Sequence, residues 1–241
     1  MQDGRDSCIK QDGGGNGTNG GCPYFFYMNN IHSLLNKIYR AAILSFENAV
    51  RLHEDAVLLY LEDRVPSALH TSILSIEELG KYYIYEDICF HNSVGEKWPE
   101  KDIRSFLKGI YSHRAKQMFF AHVADRSVIT TPLIKLILDG HLEEIKQKST
   151  YVGFPRRRNE IDFSQRVCTP SKTSKKLTKK YITLVNDFFI ELAAGTRNDV
   201  FILDIPEIQD WLTDEEFEKH FRDIWPHMSL STKRFLKKIN A

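Results

Sequence analysis

Apolar positions recur at three- and four-residue spacings from Asn29 onward: Leu34, Leu35, Ile38, Ala42, Leu44, Phe46, Ala49, Val50, Leu52, Ala56 and Leu59. That period gathers them on one helical face. Neither Gly nor Pro falls between Asn29 and Val65, so the pattern predicts one long helix. Arg64-Val65 makes a tight connection, and Pro66 suits the first turn of a second helix reaching about Phe90. Pro99 opens a third helix, over about Glu100 to Ala124. A fourth is predicted over about Leu133 to Lys148, and a fifth over about Ser174 to Ala194 with Gly195 as its stop. Shorter helices follow near 206–223 and 229–239, and Val200 to Leu203 is a strand candidate. The fold class expected is all-α, an antiparallel helical bundle with extra C-terminal helices.

Two of these stripes carry charge where apolar residues belong. With Ile73 at zero and about 100 degrees per residue, Glu77 falls at about 40 degrees, inside the face made by Leu69, Ile73, Ile76, Gly80 and Ile84. A buried carboxylate needs a partner, and Lys81 stands one turn later in the favourable order. Gly80 weakens a helix interior by about 1 kcal/mol relative to Ala, which suggests close approach of another helix or a ligand. The third helix places Arg114 amid Ile103, Leu107, Ile110, Met118 and Ala121, with His113, Lys116 and Gln117 close by. A buried Arg seeks a carboxylate, so the two helices are expected to pack with Glu77 near His113 or Arg114. A structural ion pair with a packing glycine explains the same pattern, as does an Arg114 that reaches solvent.

Composition narrows the function classes. The 241 residues are 42% hydrophobic and 27% charged with net charge +1, so a folded core is expected and any nucleic-acid signal must be local. The four Cys form no CxxC pair, and the His residues lack ligand spacing, so neither a metal nor another cofactor is expected. No apolar run approaches the roughly 20 residues of a membrane span, and the N-terminus lacks a signal core. A cytoplasmic location without a membrane partner is therefore the expectation. Residues 1–22 hold seven glycines and almost nothing apolar, and read as a disordered Gly-rich tail.

Charge separates in the second half. Residues 155–180 contain nine Lys or Arg against Glu160 and Asp162. Arg156, Arg157, Arg158, Lys175 and Lys176 are the candidates for following an RNA backbone, with Phe154, Phe163 and Tyr181 at hand for stacking. A solvated connection is the competing reading. Residues 204–223 are acidic, and Thr213-Asp214-Glu215-Glu216 reads as a helix N-terminal cap.

The ordered stretches Asn48-Ala49-Val50-Arg51-Leu52, Asp55-Ala56, Pro66-Ser67-Ala68-Leu69 and Ile73-Leu74-Ser75-Ile76-Glu77-Glu78-Leu79-Gly80-Lys81 resemble the start of the AbiV-type abortive-infection proteins. Ser112-His113-Arg114-Ala115-Lys116-Gln117 resembles that family's H-x-x-K segment, and Ile145-Lys146-Gln147-Lys148-Ser149-Thr150-Tyr151-Val152 its K-Q…Y-V segment. The resemblance implies a bundle of HEPN type, placed here over residues 23–200; the charge distribution adds a basic insert at about 155–180 and an acidic helical extension over 201–241. The resemblance also implies a homodimer, and phage defence that blocks growth or translation. HEPN proteins are often metal-independent ribonucleases with an R-x(4–6)-H motif. Arg64-x5-His70 fits that loose spacing, and Arg197-Asn198 resembles the R-N-x-x-x-H form, although position 202 is Ile.

Two functions follow. In the first, a ribonuclease toxin uses His113 as acid or base, with Arg114, Lys116 and Lys81 on phosphate and Glu77 orienting them. In the second, a non-catalytic helical protein binds RNA, or a phage or host protein regulator, and inhibits by occupancy.

Overall fold

The computed structural model describes residues 23–239 apart from 97, 127–131, 155, 158, 159, 162, 165 and 202. The side chains of 23–32, 125, 126, 156, 157 and 160 are likewise outside the description. The expected tail at 1–22 and Arg158 lie outside the described residues, as do the side chains of Arg156 and Arg157.

Two long helices form the spine. The uninterrupted apolar period builds α1 (Pro23–Leu61), and α2 (Val65–Ser93) returns antiparallel to it after a turn in which Asp63 takes a φ of 56°. Pro66 occupies the first turn of α2, where its missing N–H leaves no bond unmade. The pair is stitched by the Ser75 hydroxyl, which donates to the Ala49 carbonyl at 2.7 Å. A third long helix, α7 (Lys175–Arg197), completes the core, its first turn capped by the Ser174 side chain. Phe46 of α1 meets Tyr82 of α2 and Phe189 of α7 edge-on, at centroid distances of 5.2 and 5.8 Å. All three are fully buried, and each contributes the large apolar area that dominates such a core.

The predicted third and fourth helices are each two. The third divides into α3 (Glu100–Leu107), a 3-10 turn (Lys108–Tyr111) and α4 (His113–Arg126). The fourth divides into α5 (Pro132–Leu138) and α6 (Leu142–Thr150), because Gly140 adopts a φ of 82° that ends the helical path. Gly195 does not stop α7. It lies within the helix, and a Cβ there would come within 2.1 Å of the Phe201 ring, so glycine is needed for packing.

A two-residue antiparallel pairing, β1 (Arg156–Arg157) with β2 (Glu160–Ile161), lies in the basic segment, and Val200, Phe201 and Leu203 are loop rather than strand. The acidic segment forms α8 (Pro206–Thr213) and α9 (Glu215–Ile224), with the Asp214 side chain accepting from the Glu216 N–H as the N-cap of α9. With α10 (Leu230–Ile239) these helices pack on α7: Ile208, Leu212, Phe221 and Leu236 belong to the same core as Phe46. No helix among the described residues is long and apolar enough to cross a membrane. The molecule is thus an all-α bundle.

Candidate functional site

Helices α2, α4 and α6 converge on Glu77, which is only 2% exposed. Gly80, three residues on, sets how closely α4 approaches. A Cβ at Gly80 would lie 1.9 Å from the Lys116 carbonyl oxygen, so no other residue admits α4 at this distance. Close approach brings the first turn of α4 over the Glu77 carboxylate. Oε2 of Glu77 lies 2.7 Å from His113 Nδ1 and 3.6 Å from Lys116 Nζ. Oε1 accepts from Gln117 Nε2 and from Lys146 Nζ of α6, each at 2.8 Å.

The carboxylate is therefore ionised despite its burial. Burial alone would push its pKa up; hydrogen bonds from Lys146, His113 and Gln117 outweigh that and hold it below the ordinary range. Lys146 shows the complement. Burial would lower its pKa, but Glu77 and Glu143 (Nζ to Oε2 2.9 Å) raise it above the usual lysine value. His70 of α2 stands beside this group, its Nδ1 2.6 Å from the Thr150 hydroxyl. Burial, then the Lys146 charge, lowers its pKa.

His113 differs from its neighbours in facing outward: its side chain is 53% exposed. With Nδ1 turned to Glu77, a neutral imidazole carries its proton there and offers the Nε2 lone pair outward. His113 also begins α4. The Ser112 hydroxyl takes the Ala115 N–H and the Ser112 carbonyl the Lys116 N–H, while the amides of His113 and Arg114 have no hydrogen-bond partner among the described residues. Such an N-terminus attracts anions.

The expected neighbours of Glu77 are redistributed. Lys81 pairs with Glu78 at 2.6 Å rather than with Glu77. Arg114 is exposed, and its guanidinium lies beside Gly140. The break at Lys108–Tyr111 is the reason: it turns α4 relative to α3, so a single helical wheel across both misplaces Arg114 and puts Lys116 and Gln117 at the edge instead of the centre. Lys116 is buried against Glu77 and is not presented to solvent. Arg197 is also engaged, bonded to Glu218 of α9, which Arg222 holds from its other side.

Sequence reasoning missed Lys146 and Glu143 as members of the cluster. Their signal was present: Lys146 follows Leu142 by four residues and precedes Ser149 by three, on the buried stripe of α6. Glu77, His113 and Glu143 place ligand atoms within 4.8 Å of one another. Lys146 already bridges the two carboxylates, so a divalent ion there would have to displace an ammonium.

The candidate RNA contacts are spread out. Lys175 pairs with Asp63 at 2.7 Å and lies over the Tyr60 ring, whereas Lys176 is exposed. Tyr181 is fully buried and unavailable for stacking. Phe154 and Phe163 are exposed, with their rings 5.2 Å apart, on the segment that follows α6.

The family model for AbiV, of HEPN type, matches residues 37–190, more than half of the chain and every residue that touches Glu77. The chain belongs to the AbiV family of HEPN proteins. Membership of AbiV points to abortive infection, a defence against phage. The stretch matched runs from α1 into α7, so α8 to α10 lie beyond the AbiV match. Neither a curated protein nor a solved structure matches the chain.

Proposed function

We propose that this AbiV protein blocks translation in the infected cell as a metal-independent endoribonuclease, with His113 as its acid–base group. The observation that carries the reading is an exposed imidazole clamped through Nδ1 by a buried, ionised carboxylate. A carboxylate so placed fixes the imidazole's tautomer and stabilises the imidazolium that forms when Nε2 takes a proton.

In the reaction, Nε2 accepts the proton of a ribose 2′-OH. The freed 2′ oxygen attacks the adjacent phosphorus, the bond from phosphorus to the 5′ oxygen breaks, and a proton returns to that leaving oxygen. The products are a 2′,3′-cyclic phosphate and a 5′-OH. Arg114 and the two free amides at the start of α4 stand beside His113 and would receive the phosphate charge. Lys116 and Lys146 act behind the imidazole: they keep Glu77 ionised. Lys81, paired with Glu78, has no part in this arrangement. Lys176 and the basic segment after α6 would track the RNA, and a second copy of the chain would double the site across a homodimer.

One observation favours inhibition by occupancy instead. Lys116, Lys146 and Arg197 are each engaged by a buried Glu, which leaves Arg114 as the cation nearest in sequence to His113 that is free to meet phosphate. Expression of wild type and His113→Ala in a bacterial host separates the two. Loss of both growth arrest and RNA cleavage in the variant supports catalysis; arrest that persists with intact RNA supports occupancy.

A further inference from the structure

Asp187 and Glu191 stand one turn apart on the face of α7 that receives α10, and each is 1% exposed. Oδ2 of Asp187 accepts the Ser229 N–H at 2.9 Å. Oδ1 of Asp187 and both carboxylate oxygens of Glu191 have no hydrogen-bond partner among the described residues.

The start of α10 adds more oxygen to this spot. The Thr232 hydroxyl is fully buried, stands beside both carboxylates and lies 3.0 Å from the Ser229 hydroxyl. Lys233 is the basic group whose charge reaches Asp187, but its side chain is exposed. Two neighbouring carboxylates shut away from water cannot both stay ionised without a positive partner inside.

We propose that Asp187, Glu191, Ser229 and Thr232 bind one calcium ion, which fastens α10 to α7. The donors are all oxygen, the set a hard cation selects, with neither the nitrogen nor the sulfur that favours zinc. A double positive charge balances the two carboxylates. With both carboxylates bidentate and both hydroxyls turned inward, the group offers about six oxygens, within the roughly 6–8 that calcium takes. Magnesium keeps several of its waters, and a sealed site has no place for them. Burial carries Glu191 to about 7, more than the Thr232 hydroxyl pulls it down. Burial raises Asp187 as well, against Ser229 and Thr232. A proton therefore serves the pair in acid, and the ion takes its place as pH rises. The site shares no residue with the Glu77 cluster, and Glu191, Ser229 and Thr232 lie beyond the AbiV match. Lifting of α10 would open the way in.

Thermal melting of the full chain at about pH 7.5, in EDTA and then in about 1 mM free calcium, tests this. Calcium is expected to raise the melting temperature by about 3 °C or more, magnesium by less, and amide exchange in α10 to slow. Asp187→Asn and Glu191→Gln should each remove the calcium shift, and either carries the reading if the other does not fold. Glu143→Gln, at the group of acids around Glu77, should keep it. The proposal is overturned by a smaller calcium shift in wild type, which leaves the pair to a proton, or by an equal shift with magnesium. It is also overturned if the shift survives in a folded Asp187→Asn or Glu191→Gln, or disappears in Glu143→Gln.

Discussion

The Nδ1 atom of His113 lies 2.7 Å from Oε2 of Glu77, a carboxylate sealed inside the bundle, while the imidazole itself reaches solvent. Three further groups, Lys146, Gln117 and Lys116, meet the same carboxylate. Glu77 thus joins three helices and orients one outward-facing ring, and fold and chemistry depend on it together.

Glu77→Gln should destabilise the protein by about 3–5 kcal/mol, because it leaves the buried Lys146 and Lys116 facing a neutral amide. Urea unfolding followed by circular dichroism measures this. His113→Ala, at a half-exposed position, should cost less than about 1 kcal/mol in the same assay.

Gly80→Ala should also destabilise the bundle, without removing any charge. The added methyl meets backbone, the Lys116 carbonyl at 1.9 Å, so α4 must shift. A loss of about 2 kcal/mol or more is expected, with loss of activity alongside. Gly140→Ala meets only the far end of the Arg114 side chain, at 3.3 Å. Its cost, about 1–2 kcal/mol, comes from the positive φ.

How much of this was legible in the sequence turns on helix phase. Glu77 stood out because α2 is continuous from Val65 to Ser93, so a single wheel reads its faces correctly. The wheel failed for Arg114 because the turn at Lys108–Tyr111 resets the phase between Ile103 and Met118. Pattern alone does not show such a reset, since Gly109 is tolerated in a helix as well as in a turn. Lys146 escaped for a related reason. With Gly140 read as helix interior, α6 had no independent stripe on which a buried lysine would look odd. Gly195 was read as a terminator from composition, but its packing against Phe201 is a tertiary contact that no local rule contains.

Acid and alkali should attack the cluster from opposite sides. The folded pKa of Glu77 is depressed, so its stabilisation is present above the unfolded value of 4.5 and is lost as pH falls through the lower folded pKa. The folded pKa of Lys146 is raised, so its share is complete below 10.5 and is lost as pH rises through the folded value. Glu191 has the contrary sign. Its carboxyl moves from 4.5 unfolded to about 7 folded, so wild type loses stability as pH rises between those values. Thermal melts across that window should show Glu191→Gln gaining on wild type until about pH 7 and then holding a constant lead.

Arg114→Ala should leave stability within about 0.5 kcal/mol of wild type, since the side chain is exposed. RNA cleavage should fall by about tenfold or more, through weaker hold on the phosphate in the transition state. Parallel melting curves and initial rates make the comparison, and an unchanged rate would remove Arg114 from the reaction.

The most direct measurement is cleavage of a defined RNA by the purified chain in excess EDTA, with the new ends identified. Wild type is expected to cut and to leave 2′,3′-cyclic phosphate and 5′-OH ends, and His113→Ala to be slower by about 100-fold or more while still folded. Equal cleavage by the variant, or an intact RNA with folded wild type, would contradict a catalytic Glu77–His113 pair.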